Sequence, residues 1–403
     1  MKVYTLFRGG GGVDVGAEAA GCESVGGIEY DTGIASVCDI NFAHAPTTLI
    51  DIRDADPSLM SIEKPDGLHA SPSCKNASSA NQRKDDDGTK ETEFDRECGR
   101  ATCRFIDAWR TPFFTLENVW AYRKFDAFGY IIESLKKNGY SFEYWHLNFA
   151  DYGVAQTRKR LILIAKLGEH RITRPIATHH NPSQDACQMS MFQTTKPWVG
   201  WYAAIEDIID TLPESRFASW QLARLPKELK TMLIAQGKYS DNLVTSQQDD
   251  PAFTITANSN QTGVRALLVS NAKTEYSDGT RQCDDPAFTV TGESNGRVKA
   301  FIVDCQNAGN PSPDRERGLT IRSSNEPCFT LTSSMGQKRP TRAFTGARVV
   351  AMTPRALARF QSFPDDYVLP ESKTLAAKII GNAVPPLVMQ LSLIHISEPT
   401  RQA

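Results

Sequence analysis

Val3-Tyr-Thr-Leu-Phe7-Arg-Gly9-Gly-Gly11-Gly-Val13-Asp-Val-Gly-Ala-Glu-Ala-Ala20 reads as a strand, a glycine turn and a helix in succession. The apolar run is short enough for a buried strand, and the four glycines remove every Cβ at the point where backbone could approach a ligand at a helix N-terminus. Ser24 to Ile28 predicts a second strand, closed by Glu29 at the offset where a carboxylate can hold ribose hydroxyls. Asp51, within Leu49-Ile-Asp-Ile-Arg53, ends a third. A βαβ pattern with acids at strand ends suits a nicotinamide dinucleotide or S-adenosylmethionine, and the glycine turn alone does not choose between them.

Further along, Leu68 to Ala70 predicts a buried strand that breaks at Ser71-Pro72 and delivers Cys74 into a loop of small polar residues. Cys74 is the candidate nucleophile. A lone cysteine is more often a small buried hydrophobe, and only its loop setting and its neighbours raise it above that. From Lys75 to Arg100 the chain is polar, as expected of a surface loop or a lid over substrate. Cys103 to Trp109 predicts a helix, and Thr111 to Val119 a strand carrying Glu117 at its carboxyl end, where parallel sheets face their ligands. A helix over 126–138, a strand over 139–147, and a strand over 161–165 preceded by Arg158 and Arg160 complete the alternation. The first ~165 residues therefore predict a doubly wound α/β sheet.

The pattern changes after Leu167. His179-His180 lacks the partner spacing of metal ligands and is expected in a linker, and 198–236 is expected to be helical. Asp249-Asp-Pro-Ala-Phe-Thr-Ile-Thr256 returns as Asp284-Asp-Pro-Ala-Phe-Thr-Val-Thr291, and more loosely as Asn325-Glu-Pro-Cys-Phe-Thr-Leu-Thr332. Each copy is a turn followed by an alternating strand, which predicts a twisted, largely antiparallel β region. Helical pattern resumes at Thr353-Pro354, and Gly381-Asn382-Ala-Val-Pro-Pro386 forms a corner that should start one more helix. Leu391-Ser-Leu-Ile-His-Ile-Ser-Glu-Pro-Thr-Arg401 looks like an in-frame translation of a sequencing adapter, so residues 391–403 are expected to be non-native.

Composition narrows the class. The 403 residues are 40% hydrophobic and 23% charged with a net charge of −2, values of an ordinary globular protein that does not coat nucleic acid. A local surface can still be basic: Gln337 to Phe360 holds Lys338, Arg339, Arg342, Arg348, Arg355 and Arg359 and no acid. Nine cysteines without a C-x-x-C pair suggest neither a disulfide framework nor zinc. No secretory signal is recognised and no apolar stretch is expected to reach the roughly 20 residues of a membrane span, which points to a cytoplasmic protein.

With these pieces in order, the chain resembles the C5-cytosine DNA methyltransferase family over about 1–167 and 346–390. The resemblance rests on Phe7-Arg-Gly-Gly-Gly-Gly12, Ser71-Pro-Ser-Cys74, Glu117-Asn-Val119, Gln156-Thr-Arg-Lys-Arg160, Arg355 to Pro364 and Gly381-Asn-Ala-Val384, in family order. It implies a Rossmann-like, S-adenosyl-L-methionine-dependent sheet with an inserted, repeat-containing, mainly β target-recognition domain. The expected boundaries are 1–185 and 346–390 for the catalytic domain and 186–345 for recognition. It implies Cys74 as the sulfur that adds to C6 of an extruded cytosine, Glu117 as the acid at N3, and Arg158 and Arg160 as holders of the base carbonyl and a phosphate. Phe7, Gly9 and Gly11 would line the methionine end of the cofactor, Glu29 its ribose and Asp51 its adenine, with Asn382 at the cofactor site bracing the Cys74 loop. The partner would be double-stranded DNA and the protein a monomer, in a restriction-modification or phage setting. The family usually has proline before the cysteine and glutamine after it; here Ser73 and Lys75 stand there. An RNA cytosine methyltransferase, a catalytically impaired DNA-binding relative and a nicotinamide oxidoreductase are the alternatives.

Overall fold

The computed structural model describes residues 1–60, 62–73, 76–77, 91–181, 195–201, 203–215, 254–255, 264–269, 280–282, 286–287, 299–308, 319–320 and 341–397. Cys74, Lys75, most of the polar stretch after them, and nearly all of the three repeat copies lie outside these residues. The chain divides into two compact units, the first formed by Met1–Val199, Pro286–Glu293 and Pro354–Ala403, the second by Gly200–Asp285 and Ser294–Thr353.

The first unit is built on a seven-stranded sheet of β1 (Lys2–Leu6), β2 (Glu23–Glu29), β3 (Thr47–Leu49), β4 (Gly67–Ala70), β5 (Phe113–Asn118), β6 (Tyr140–Asn148) and β7 (Lys159–Leu167), in the order β3-β2-β1-β4-β5-β7-β6. Strands β3 to β5 run parallel, while β7 is antiparallel to both β5 and β6. Central strands β4 and β5 are buried at every position, as parallel strands covered on both faces must be. Helices α1 (Gly12–Ala19), α2 (Thr32–Asn41), α3 (Glu93–Trp109) and α4 (Asp126–Lys137) connect them. Tyr4, Leu68, Phe105, Phe114 and Ile131 are among the buried side chains of one core; Val13, Phe149, Ile162 and Leu393 belong to a second.

Helix α3 starts well before the predicted Cys103. Thr92 and Asp95 form a capping box, and Asp95, Cys98, Thr102, Phe105 and Ile106 are buried along one stripe; Glu93 and Arg100 are exposed and Arg96 and Glu97 half-buried, and this run of charge masks the period in the sequence. Strand β3 stops at Leu49, so Asp51 lies in the turn beyond it.

The chain returns through α5 (Pro354–Phe360), α6 (Lys373–Asn382) and α7 (Pro386–Ser397). Residues Lys373–Ile396 are apolar and long enough to cross a membrane by composition, which corrects the expectation that no stretch approaches that length. Ala383–Pro385 nevertheless interrupts the helix, and α7 packs on α1: Gly16 lies so close to Pro386 and Met389 that a Cβ there would come within 2.4 Å of the Pro386 carbonyl oxygen. The residues expected to be non-native from Leu391 continue α7 as far as Ser397, with Leu393 and Ile396 buried.

In the second unit, β8 (Val264–Val269), β9 (Thr280–Gln282), β10 (Lys299–Ala308) and β11 (Thr341–Ala351) form an antiparallel sheet in the order β9-β8-β10-β11. Within the predicted helical stretch 198–236, the described residues contain turns and one short 3-10 segment, Ile209–Thr211; the rest lies outside them. Two residues of the second repeat copy, Pro286 and Ala287, belong to the first unit, where the Ala287 carbonyl accepts from Thr157 N at 2.9 Å.

Candidate active site

At the carboxyl ends of β1, β2, β4 and β5, a cleft of 360 Å³ opens in the first unit. That volume is in the range of small-molecule sites. The glycine turn forms one wall. Phe7, Gly9 and Gly11 have φ of 55°, 57° and 79°, so the turn is left-handed at alternate residues. Open space surrounds the place of a Cβ on Gly9, which faces the cleft, whereas a Cβ on Gly10 would come within 2.3 Å of Ile379 Cγ2. Gly11 turns away from the cleft, toward Phe42 and Cys38, and sits at the N-cap of α1. Tyr367 donates its hydroxyl to the Gly10 carbonyl, tying the turn to the chain beyond α5.

Beneath the turn lies a buried ion pair that carries no signature in the sequence pattern. Arg8 donates to Asp14 Oδ1 from Nε at 3.1 Å and from Nη2 at 2.9 Å, and from Nη1 to the Ala45 carbonyl at 2.7 Å and Thr47 Oγ1 at 2.8 Å. Both side chains are fully buried. Burial, the largest single influence, opposes the charge on Arg8; the charge of Asp14, the lesser effect of Cys38, the Asp14 hydrogen bond and Asp39 together outweigh it, so the guanidinium pKa is raised.

Glu29 is held by three backbone donors: Gly9 N to Oε2 at 2.9 Å, and Tyr30 N and Asp31 N to Oε1, each at 3.0 Å. A carboxylate offers about four lone-pair sites, so one on Oε2 stays available toward the cleft. Asp51 also lines the cleft, but both its oxygens are engaged by Arg53, whose Nη2 reaches Oδ2 at 2.9 Å; the side-chain bond from Arg53 is the main cause of its lowered pKa.

Opposite stand the residues expected to do chemistry. Glu117, 6% exposed, stands one residue before the end of β5 and opens into the cleft. Arg160 Nε approaches its Oε1 at 3.2 Å and Arg158 Nη2 lies 4.0 Å away. The two arginines differ in surroundings: Arg158 donates to the Gly381 and Ala383 carbonyls, both at 3.2 Å, bracing the end of α6, whereas Arg160 donates to its neighbour's carbonyl at 2.8 Å. Asn382 is exposed on the cleft wall. Cys74 is outside the described residues; Ser73 and Asn76, on either side of it, line the same cleft.

What holds that loop was missed in the sequence. Asn118, 1% exposed, donates Nδ2 to the Pro72 carbonyl at 3.0 Å. His69 bonds through Nδ1 to Thr115 Oγ1 and through Nε2 to Ser71 Oγ, both at 2.8 Å. Burial alone lowers its pKa to about 3, so the ring is neutral. Beyond Cys74, Asn76 donates to Asp95 Oδ2 at 2.8 Å. Only the asparagine's place beside Glu117 could have drawn attention; the other partners are 46 and 19 residues apart in sequence.

The donor set suits S-adenosyl-L-methionine: open space above Gly9 admits a ligand against bare backbone, and Glu29 keeps an acceptor for a hydroxyl.

Comparison with known proteins agrees. The model of the family described as C-5 cytosine-specific DNA methylase matches residues 1–397. The Type II methyltransferase M.DdeI of Desulfomicrobium norvegicum is 25% identical over 417 residues, covering 98% of this chain and 88% of that protein. M.AquIA of Picosynechococcus sp. is 26% identical over 260 residues, covering 59% of this chain and 98% of its own length. Among solved structures, the S. pombe Dnmt2 methyltransferase shares the fold with a TM-score of 0.53 at 13% identity, covering 100% of this chain and 99% of that one. With a match running from Met1 to Ser397, the chain belongs to the C-5 cytosine-specific DNA methylase family, and its methyl donor is S-adenosyl-L-methionine.

Proposed function

We propose that this protein methylates C5 of a cytosine swung out of double-stranded DNA, through a covalent adduct on Cys74. The observation that carries the proposal is the shared cleft: Glu117, with Arg160 Nε at 3.2 Å, opens into the same 360 Å³ as the Gly9 turn and as Ser73, the neighbour of Cys74. The Cys74 thiolate would form a bond to C6, which moves electron density onto C5 and N3. Glu117 would meet N3 with a proton, and Arg160 would hold the base carbonyl or a phosphate while its field favours the thiolate. Arg158, bound to the Gly381 and Ala383 carbonyls, would fix the wall behind Glu117. Bound S-adenosyl-L-methionine supplies the electrophilic methyl group. Loss of the C5 proton and expulsion of the sulfur then restore the ring and free Cys74.

Phe7, Gly9, Gly11 and Glu29 are assigned to the cofactor, Gly11 through the shape of the turn rather than by contact; Asp51 would reach the adenine only with Arg53 attached. Residues 1–185 and 346–390 would form the catalytic domain and 186–345 the repeat-bearing recognition domain. The enzyme would act as a cytoplasmic monomer in a restriction-modification or phage system.

Incubation with S-adenosyl-L-methionine and duplex DNA containing 5-fluorocytosine, whose C5 fluorine cannot leave as a proton does, tests this. Wild type should form a complex that survives denaturant, and Cys74→Ser and Glu117→Gln should not. If Cys74→Ser traps DNA as well as wild type, the covalent route is wrong.

A further inference from the structure

Sheet edge β6 carries side chains for which the methyl-transfer site has no use. Trp120, three residues past Glu117, stacks on His146 with ring centroids 4.8 Å apart and planes at 14°. The Arg123 guanidinium lies 4.7 Å above the same indole. Tyr144, on the same face of β6 as His146, is 39% exposed with its ring 6.4 Å from Trp120. Strand register sets His146 and Asn118 both opposite Leu161, so this cluster is level with the end of β5 from which Glu117 projects. Lys159, opposite Asn148 and exposed, extends it. Among the described residues, the charges bearing on His146 are those of Lys159, Arg123 and Arg160, all positive; with burial, the largest cause, they lower its pKa.

A guanidinium resting over an indole gives up part of its rotamer freedom in advance while its N–H groups can still meet the two oxygens of a phosphodiester. Exposed cations on an aromatic platform, in a chain whose net charge is −2, form a local attraction for a polyanion. We infer that Arg123 and Lys159, set on the Trp120–His146 platform, form a phosphate-binding track that grips the DNA strand flanking the target cytosine and continues Arg160 outward from the cleft. This rests on the DNA-methylating function proposed above.

The track is tested with Arg123→Gln and Lys159→Gln, singly and together, against Lys136→Gln at the far end of α4 as a control. Anisotropy of a fluorescein-labelled duplex is titrated at several sodium chloride concentrations, and S-adenosyl-L-methionine binding is followed by calorimetry. Each substitution should reduce the slope of log affinity against log salt by about 1, and the pair by about 2. Affinity at about 0.1 M salt should fall roughly tenfold per cation, equally on all sequences. Cofactor affinity should not change, and Lys136→Gln should leave the slope as in wild type. If wild type methylates DNA and the double variant keeps the wild-type slope, the track is overturned alone. If wild type neither binds nor methylates duplex DNA, the function beneath it falls as well.

Discussion

Replacing Arg8 with methionine should unsettle the glycine turn more than any surface change. The substitution removes four hydrogen bonds, two of them charge-assisted to Asp14 Oδ1. It leaves a fully buried carboxylate whose remaining hydrogen-bond donor, among the described residues, is the Ser24 hydroxyl. Breaking a buried pair from one side costs about 3–5 kcal/mol, because the surviving charge is desolvated without compensation. For a urea dependence of about 3 kcal/mol per M, a loss of about 4 kcal/mol moves the unfolding midpoint down by roughly 1.3 M. Asp14→Leu should cost a similar amount, and Arg8→Met with Asp14→Leu together should recover most of it, since no buried charge remains. Urea unfolding followed by tryptophan fluorescence reads the stability, and calorimetry with S-adenosyl-L-methionine reads the turn. Single variants that each lose under about 1 kcal/mol, or a double variant that merely adds their losses, would refute the account of a desolvated pair holding the turn.

Other perturbations have equally definite outcomes. Asn118→Ala releases the Pro72 carbonyl and should lower kcat by about 10- to 100-fold, on the order of 1–3 kcal/mol, while KM for S-adenosyl-L-methionine stays within about twofold; steady-state kinetics check this. His69 is held at about 3, against 6.5 in an unfolded chain, so the unfolded state takes up a proton that the folded state refuses between those values. The stability contributed by keeping the ring neutral is therefore fully present above about pH 6.5 and falls by about 1.4 kcal/mol per unit as pH drops toward 3. His69→Gln should flatten that part of the stability curve in denaturation series run across acid pH. Gly12→Ala places a Cβ 2.4 Å from the Val384 carbonyl, which is backbone and cannot rotate away. It should cost about 1–3 kcal/mol and weaken cofactor binding, read by melting with and without S-adenosyl-L-methionine.

Much of the first unit was legible because its signals are local. Continuous apolar runs marked β1, β4 and β5, glycines marked the turn, and Glu29 and Glu117 stand at strand ends where the alternating pattern put them. Boundaries failed where a local signal was weak or masked. Charged early turns hid the start of α3, and the apolar residues around Asp51 suggested a strand that stops at Leu49. The supports of the site were illegible for a different reason. Arg158 finds its acceptors 223 and 225 residues away, His69 finds Thr115 46 residues away, and Asn118 spans the same interval to Pro72. No periodicity encodes such pairings; the last two exist only once the sheet has brought β4 beside β5, and the first only once the end of α6 has packed against the start of β7. Arg8 read as one residue of a glycine turn, since its acid at Asp14 lies inside what looks like an ordinary first helical turn.

The close approach of Gly12 to Val384 and of Gly16 to Pro386 has a consequence for timing during synthesis. Helix α1 rests on α7, far later in the chain, so the glycine turn acquires its backing only after α7 has been synthesised. Local strands and helices can form earlier, as contacts close in sequence do. Chains that have not yet made α7 would therefore lack the wall on which α1 rests.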